Sequence, residues 1–508
     1  MQTNLADFIR DTPDGEEAAG IIGRCVHCGF CNATCPTYQL CGDELDGPRG
    51  RIYLMKQVLE GATPSASTQL HLDRCLGCLG CETTCPSGVE YGRLLDIGRR
   101  VVAEQTSRPP AQTLARAALR HTLMSRAFAP ALKLGQALRP LLPAALREKI
   151  PPTQNAGAWP ARSHARQMLL LGGCVQPAML PNINAATARV FDALGIQILV
   201  PPEAGCCGAL HHQLDDPERS LQMARRNIDA WLPYLDSGSE AILMNASGCG
   251  AHVREYAHLL RNDPDYAAQA LRVSALTKDL CEVLPALLAE SAITLAAPGP
   301  RVVSQATPSF PRKQEPIPGP RRVFQATPSF PRKREPIPDP RRVFQATPSF
   351  PRKREPIPSP RRVFQATPSF PRKRDPIPGP RRVFQATPSF PRKREPIPGP
   401  RVVFQAPCSL QHGQKITGTV EAMLTALGCD LLGHDEAHLC CGAAGSYSLT
   451  QPAIAQTLRD RKIANLDAVQ PELILSANVG CIAHLQAATE TPVMHWIEWL
   501  DACLGEAR

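Results

Sequence analysis

Two cysteine runs constrain this chain more than any other feature. Residues 24–36 read RCVHCGFCNATCP and residues 74–86 read RCLGCLGCETTCP, both of the form C-x2-C-x2-C-x3-C-P. A cubane [4Fe–4S] core needs four thiolates converging tetrahedrally, and gaps of two residues let one loop wrap three of them around it. The fourth, fixed ahead of a proline, is carried toward a neighbouring core. The spacing therefore predicts two clusters, one held by Cys25, Cys28, Cys31 and Cys85, the other by Cys75, Cys78, Cys81 and Cys35. Exchange of the fourth ligand ties the two runs together, so the stretch between them must fold back. Zinc sites use two C-x2-C pairs at longer separation, not triplets closed by Cys-Pro, which argues against zinc. Two adjacent clusters form a relay and store no substrate.

The intervening stretch GRIYLMKQVLEG predicts a helix with Ile52, Met55, Val58 and Leu59 on one face and Gly61 as its stop. The opening MQTNLADFIRDTPDGEEAAG has no apolar core of a secretory leader. Without export, the 20 cysteines are expected in a reducing compartment, as metal ligands or redox groups rather than disulfides. The longest apolar stretch, VLPALLAESAITLAA at 283–297, is too short to span a bilayer and carries Glu290. The expectation is a cytoplasmic protein, soluble or peripheral on the inner face of the cytoplasmic membrane.

Further along, the chain repeats itself. Cys174 is followed by Cys206-Cys207-Gly208, and Cys408 by Cys440-Cys441-Gly442; both landmarks differ by 234 positions (408 − 174, 440 − 206). Cys249 and Cys481 differ by 232 (481 − 249). Landmarks kept in register over such a distance indicate duplication. The apolar runs QMLLLGG, AILMNAS and ELILSAN read as strands ending just before a landmark, alternating with helical patterns as in βαβ units. A parallel sheet would place those cysteines at its carboxyl edge, where α/β folds build sites. Two thiolates at a strand edge, with two more from other loops, could grip a cluster; the candidates are Cys174, Cys206, Cys207 and Cys249, then Cys408, Cys440, Cys441 and Cys481. The alternative is that these are small buried residues. His252 and His484, three positions past the last cysteine of each copy, are candidate imidazole ligands. His211 and His212 read as ordinary loop residues, and Cys41, Cys281, Cys429 and Cys503 as plain thiols.

Residues 301–400 are five copies of a 20-residue unit of the form RRVFQATPSFPRKREPIPGP. The block holds 23 Lys+Arg and 6 Asp+Glu, net +17, so the remainder of the +10 chain carries 10 − 17 = −7. Five prolines per unit exclude helix and central strand and predict an extended, mobile insertion. A polybasic tether for membrane or nucleic acid is the competing reading. The stretch 108–149 has eight Lys+Arg against Glu148 alone, suiting either an anionic membrane surface or a packing segment.

The expected fold class is α+β multidomain: a mainly helical two-cluster domain at 1–104, a helical linker at 105–165, a first α/β cysteine-rich domain at 166–295, the disordered repeat insert at 296–400, and a second cysteine-rich domain at 401–508. No G-x-G-x-x-G opens a helix, and no Walker loop or G-x-S-x-G occurs. Hydride chemistry would then sit on another chain.

The two ferredoxin-type runs, the PRGRIYLMKQVLEG helix, AGCCGALHHQLDD, NASGCGAHVREY and CCGAAGSYSLTQP together resemble the iron–sulfur subunits of glycolate oxidase, over about 1–295 and 401–508. The wider group includes anaerobic glycerol-3-phosphate dehydrogenase, lactate-utilisation and heterodisulfide reductase subunits. The resemblance implies a glycolate dehydrogenase complex in which FAD-bearing partner subunits oxidise glycolate to glyoxylate. Electrons would cross the two [4Fe–4S] clusters to a quinone-type membrane acceptor. Relatives in the wider group often end their paired-cysteine domain in C-x2-C, where histidine stands here in both copies, and this bears on a further cluster in those domains. A glycerol-3-phosphate or lactate dehydrogenase subunit is the alternative, and an iron–sulfur sensor or nucleic-acid binder using the basic repeat is a third; no nucleic-acid partner is expected.

Overall fold

The computed structural model describes residues 1–125, 127–141, 152–291 and 399–506. The mobile insertion expected at 296–400 lies outside the described residues, apart from Gly399 and Pro400.

The N-terminal part is helical: α1 (Pro13–Arg24), α2 (Phe30–Ala33), α3 (Pro36–Cys41), α4 (Pro48–Leu59), α5 (Ala66–Asp73), α6 (Gly80–Thr84) and α7 (Tyr91–Gln105). Helix α1 starts where Thr12 accepts the Gly15 amide and Pro13 occupies the first turn. The expected helix between the cysteine runs is α4, and Ile52, Met55, Val58 and Leu59 are all buried. Its stop is as expected: Gly61 sits at φ +101°, its amide donating to Val58 O at 3.0 Å. Helices α4 and α7 pack closely because Gly98 lies against Met55; a Cβ there would come within 2.4 Å of the thioether sulfur.

The basic stretch that follows forms helices Pro110–Leu123 and Phe128–Leu138. Arg108 pairs with Asp73 of α5 and, at 3.1 Å, with Asp215. Arg116 reaches Asp215 at 2.9 Å and Asp73 at 3.3 Å, and Arg120 donates to Leu214 O. These three charges strap the N-terminal helices to the first α/β unit and are spent on packing, not on a membrane surface.

Both α/β units carry a four-stranded, wholly parallel sheet. In the first, β1 (Arg166–Leu170), β2 (Ile196–Leu199), β3 (Ile242–Met244) and β4 (Thr277–Asp279) take the order β2-β1-β3-β4. The second, from β5 (Arg401–Gln405), β6 (Asp430–Leu432), β7 (Leu473–Ser476) and β8 (Val493–His495), has the equivalent order β6-β5-β7-β8. Registers such as Met168↔Ile198 and Val403↔Ile474 join mostly apolar runs, as expected of strands covered on both faces. The duplication seen in the cysteine spacing is thus a duplication of topology. The copies share one core: Phe191 from the first is buried in the same cluster as Trp496 and Trp499 from the second. Arg189 clasps Asp501 across it at 2.6 Å, and Ser247 Oγ meets Ser409 Oγ at 2.8 Å.

Candidate metal centre

The two N-terminal cysteine loops have the same backbone. His27 and Gly29 lie at φ +58° and +83°, and their counterparts Gly77 and Leu79 at +62° and +60°. Left-handed residues alternating with residues of negative φ turn backbone amides toward one concavity, a nest for an anionic group. Two of the four, His27 and Leu79, hold that conformation with side chains that disfavour it.

Around the first loop, Cys31 has Cys25, Cys85 and Cys28 as its sulfur neighbours; burial first and these thiols second push it up to about 11. Cys25, Cys28, Cys31 and Cys85 line one cradle with Pro48 and Arg49. Around the second loop, Cys81 has Cys78, Cys75 and Cys35 beside it, and burial and these sulfurs push it well up. The fourth cysteine of each run therefore lies with the other run's triplet. Thiols gathered this closely resist ionising together, which a cationic iron core reverses. The sulfur donor set suits such a core, and the nests suit the net negative charge of that core once four thiolates are bound to it.

The two sets sit in different surroundings. Cys28 is exposed, flanked by exposed Val26 and Phe30. The second set is enclosed: Gly77 N and Tyr91 Oη both donate to Cys75 Sγ at 3.5 Å. Burial opposes the Cys75 thiolate, yet Arg51 and Arg99 bring it below its ordinary value. Arg51 is 1% exposed, donates to His71 O at 2.8 Å and Thr37 Oγ1 at 3.1 Å, and lies 3.5 Å from buried Asp46. Thr37 Oγ1 in turn meets Cys35 Sγ at 3.3 Å. Around Cys75 and Cys35, the groups Tyr91, Arg51, Arg99 and Thr37 carry no site signal in the sequence, since Arg51 and Tyr91 look like ordinary helix residues.

In each α/β unit the landmark cysteines follow the carboxyl ends of the first three strands. They converge: Cys206 accepts from Cys174 and Cys207, and Cys207 meets Cys249. In the second copy Cys440 meets Cys408 and Cys441, and Cys441 accepts from Cys481. Gly208 N and Gly442 N each donate to the first sulfur of their pair at 3.4 Å. Glycine is needed there, because a Cβ on Gly442 would sit 2.4 Å from Ala455 O. Donation from Cys174 and Cys207 holds Cys206 well below its ordinary value. Buried Lys462, 2% exposed, is a cation beside Cys441, Cys440 and Cys408 of the second set.

The histidines have hydrogen-bond partners of their own, although His484 lies close enough to favour the Cys441 thiolate. His484 directs Nε2 at Ala455 O (3.2 Å) and His252 Nε2 at Ser220 Oγ (3.1 Å), so neither presents that nitrogen to its cysteines. His211 and His212 are helical, on Ala209–Gln213, rather than in a loop; they pair with Asp216 at 3.2 Å and Asp96 at 3.3 Å. Cys281, Cys429 and Cys503 are buried core thiols and Cys41 is half-buried.

Cys78 lies beside Cys408 and packs in one cluster with Leu76, Cys440 and Tyr447. Tyr447 Oη donates to Arg74 O at 2.9 Å and Thr83 Oγ1 meets His412 Nδ1 at 3.0 Å, fastening the second sulfur loop to the second α/β unit. A cavity of about 1640 Å³ opens between the helical part and both α/β units, reached by Cys78, Cys206, Cys249, Cys408 and Cys481. Among the described residues no helix is long and apolar enough to cross a membrane.

Helical nests with two exchanged cysteine quartets, joined to duplicated parallel sheets with sulfur edges, define an iron–sulfur electron carrier. Residues 21–89 match the 4Fe-4S dicluster domain family, and residues 168–254 and 402–486 each match the cysteine-rich domain family. The chain is 41% identical over 506 residues, 99% of each chain, to the glycolate oxidase iron-sulfur subunit of Escherichia coli (strain K12). To the probable glycolate oxidase iron-sulfur subunit of Bacillus subtilis (strain 168) it is 32% identical over 297 residues, 52% of this chain and 66% of that one. Lactate utilization protein A of Geobacillus thermodenitrificans (strain NG80-2) shares 29% over 130 residues, 25% of this chain and 51% of its own. The chain belongs to the family of glycolate oxidase iron–sulfur subunits, with two [4Fe–4S] clusters as its cofactors.

Proposed function

We propose that Cys25, Cys28, Cys31 and Cys85 hold one [4Fe–4S] cluster and Cys75, Cys78, Cys81 and Cys35 the other, in a subunit that conducts electrons released as glycolate is oxidised to glyoxylate. The oxidation belongs to FAD-bearing partner subunits, and a quinone-type acceptor takes the electrons at the far end. When bound, the clusters supply one-electron storage at potentials set by their surroundings. Cys28, exposed among Val26 and Phe30, offers a contact for the donor subunit. Tyr91, Arg51 and Arg99 favour added negative charge at the inner set, which draws electrons inward. The Cys174–Cys206–Cys207–Cys249 and Cys408–Cys440–Cys441–Cys481 groups offer thiolates for a further cluster. The chain acts in the cytoplasm, peripherally on the inner membrane face. The observation that carries this is the exchange of Cys35 and Cys85 between the two sulfur sets. Lactate utilisation is the second reading, favoured by the similarity to lactate utilization protein A. Co-purification of the chain with its flavoprotein partners, followed by dye reduction with glycolate, D-lactate and glycerol 3-phosphate, tests it. Glycolate-driven reduction is expected; reduction by D-lactate or glycerol 3-phosphate without glycolate activity would replace the substrate.

A further inference from the structure

The central cavity joins features that sulfur relays alone do not require. It is large, about 1640 Å³, and exposes sulfurs of the second N-terminal set and of both α/β units. One wall carries proton-bearing groups. His212 Nε2 lies 3.3 Å from Asp96 Oδ2, and the ring keeps 24% of its surface accessible. Among the described residues its Nδ1 has no hydrogen-bond partner, so that nitrogen is left for whatever enters. Burial opposes the charged ring, yet Asp96 holds His212 above its ordinary value; His252, 5.7 Å away ring to ring, is driven down to about 3 by burial and stays neutral. Arg99 and Arg100 face the pair from α7. From the two helices after α7, Leu123, Phe128 and Leu132 line it with apolar side chains, beside Arg116 and Arg120. On the same helices Leu134 and Leu138 stay exposed, and helix Phe128–Leu138 buries no residue.

We propose that this cavity is where electrons leave the chain, onto the ring of a lipid-soluble quinone, with the His212–Asp96 pair as the proton donor. The inference rests on the electron-carrier reading above and adds the place and chemistry of the exit. Quinone reduction balances as two electrons, drawn one at a time from the reduced flavin through this chain, and two protons. Both carbonyls become hydroxyls, an O–H bond forming at each oxygen. His212 gives one proton from Nδ1 and is reprotonated from cavity water beside Asp96; solvent supplies the second. A pure electron acceptor would need neither the acid nor the apolar lining side chains. A disulfide would also take two electrons and two protons, but would gain nothing from Phe128 and Leu132.

The test uses the full chain, reduced anaerobically with dithionite, desalted, and mixed with short-chain ubiquinone or with ferricyanide, which takes electrons without protons. Reoxidation is followed by absorbance. In His212→Gln and Asp96→Asn the ratio of quinone to ferricyanide rates should fall by about tenfold or more, a general acid being worth that much. In the unsubstituted chain the ratio should fall as pH rises through the His212 pKa, because only the imidazolium donates. An unchanged ratio, a flat pH profile, or a soluble disulfide reacting faster than the quinone would each overturn the proposal. Material lacking iron is recognised from its spectrum before any acceptor is added, and refutes the carrier reading instead.

Discussion

Tyr91 donates its hydroxyl to Cys75 Sγ at 3.5 Å from a fully packed position in the N-terminal core. A hydrogen bond to a ligating sulfur stabilises the more negative, reduced state of a cluster and raises its potential. Tyr91→Phe removes that bond and almost no volume. The cluster of the inner set should become harder to reduce, its reduced fraction at a fixed poise falling several-fold, where tenfold is about 59 mV for one electron. Redox-poised paramagnetic resonance should show only one of the two signals move. Equal movement of both would contradict the assignment of Cys75 to one set.

Arg51 acts on the same set by charge. Arg51→Met should shift the inner cluster in the same direction as Tyr91→Phe. It should also cost about 3–5 kcal/mol, because Asp46 is left buried beside His71 and Arg74 with one cation fewer. Arg51→Lys keeps the charge but loses the planar fork that reaches His71 O and Thr37 Oγ1 together. It should restore most of the potential and only part of the stability, as read by redox titration and urea unfolding.

What was legible in the sequence had a local spacing or an internal copy. The cysteine runs point to the quartets by their spacing alone, and offsets of 234 and 232 positions point to the doubled sheet. What was hidden depends on contacts between distant segments. His212 reads as a loop residue because its partner Asp96 lies 116 positions earlier (212 − 96), on a helix of another unit. His484 looks like a ligand by spacing, and only the fold brings Ala455 O to its Nε2. The basic run after α7 fits a membrane or a protein surface equally well until Asp73 and Asp215 are seen to flank it.

Asp279 caps helix Leu280–Glu290, accepting from Cys281 N at 3.2 Å while Glu282 Oε2 accepts the Asp279 amide at 2.7 Å. Burial, the dominant cause, pushes its carboxyl up to about 6 from 3.8. An acid with a raised folded pKa contributes stability that is full below its unfolded pKa and lost as pH rises through the folded one. Ionising it should therefore cost the fold about 3 kcal/mol between roughly pH 4 and pH 6. Asp279→Asn keeps a capping oxygen and cannot ionise. Urea unfolding should show the variant gaining on the unsubstituted chain as pH rises from about 4.5 to 7 and levelling off above that. A variant that loses ground to the unsubstituted chain over that range would mean the carboxyl is ionised more easily than its burial implies.

Phe191 is wholly buried in the core that also holds Trp496 and Trp499. Phe191→Ala should cost about 3–5 kcal/mol by leaving a cavity. Because the core is continuous, the loss should reach both copies. Hydrogen exchange should speed up in β5 and β7 as well as in β1 and β3. Faster exchange confined to the first sheet would mean that the copies are stable independently.

The repeat block supplies the last prediction, and its boundary matters. Gly399 and Pro400 lead into the second sheet: Pro400 O accepts Asp430 N at 3.2 Å, and a Cβ on Gly399 would lie 2.1 Å from Gly428 O. The preceding α/β unit is closed by helix Leu280–Glu290, whose last turn accepts Ser291 N. Removing residues 301–380 deletes four of the five units and keeps this anchoring intact. The shortened chain should retain its iron content, both paramagnetic signals and its glycolate-driven dye reduction, with none of the +10 net charge left to favour polyanions. Lost dye reduction with iron retained would assign the units a role in partner assembly. Salt-sensitive nucleic-acid binding by the full chain, abolished by the deletion, would make them a tether.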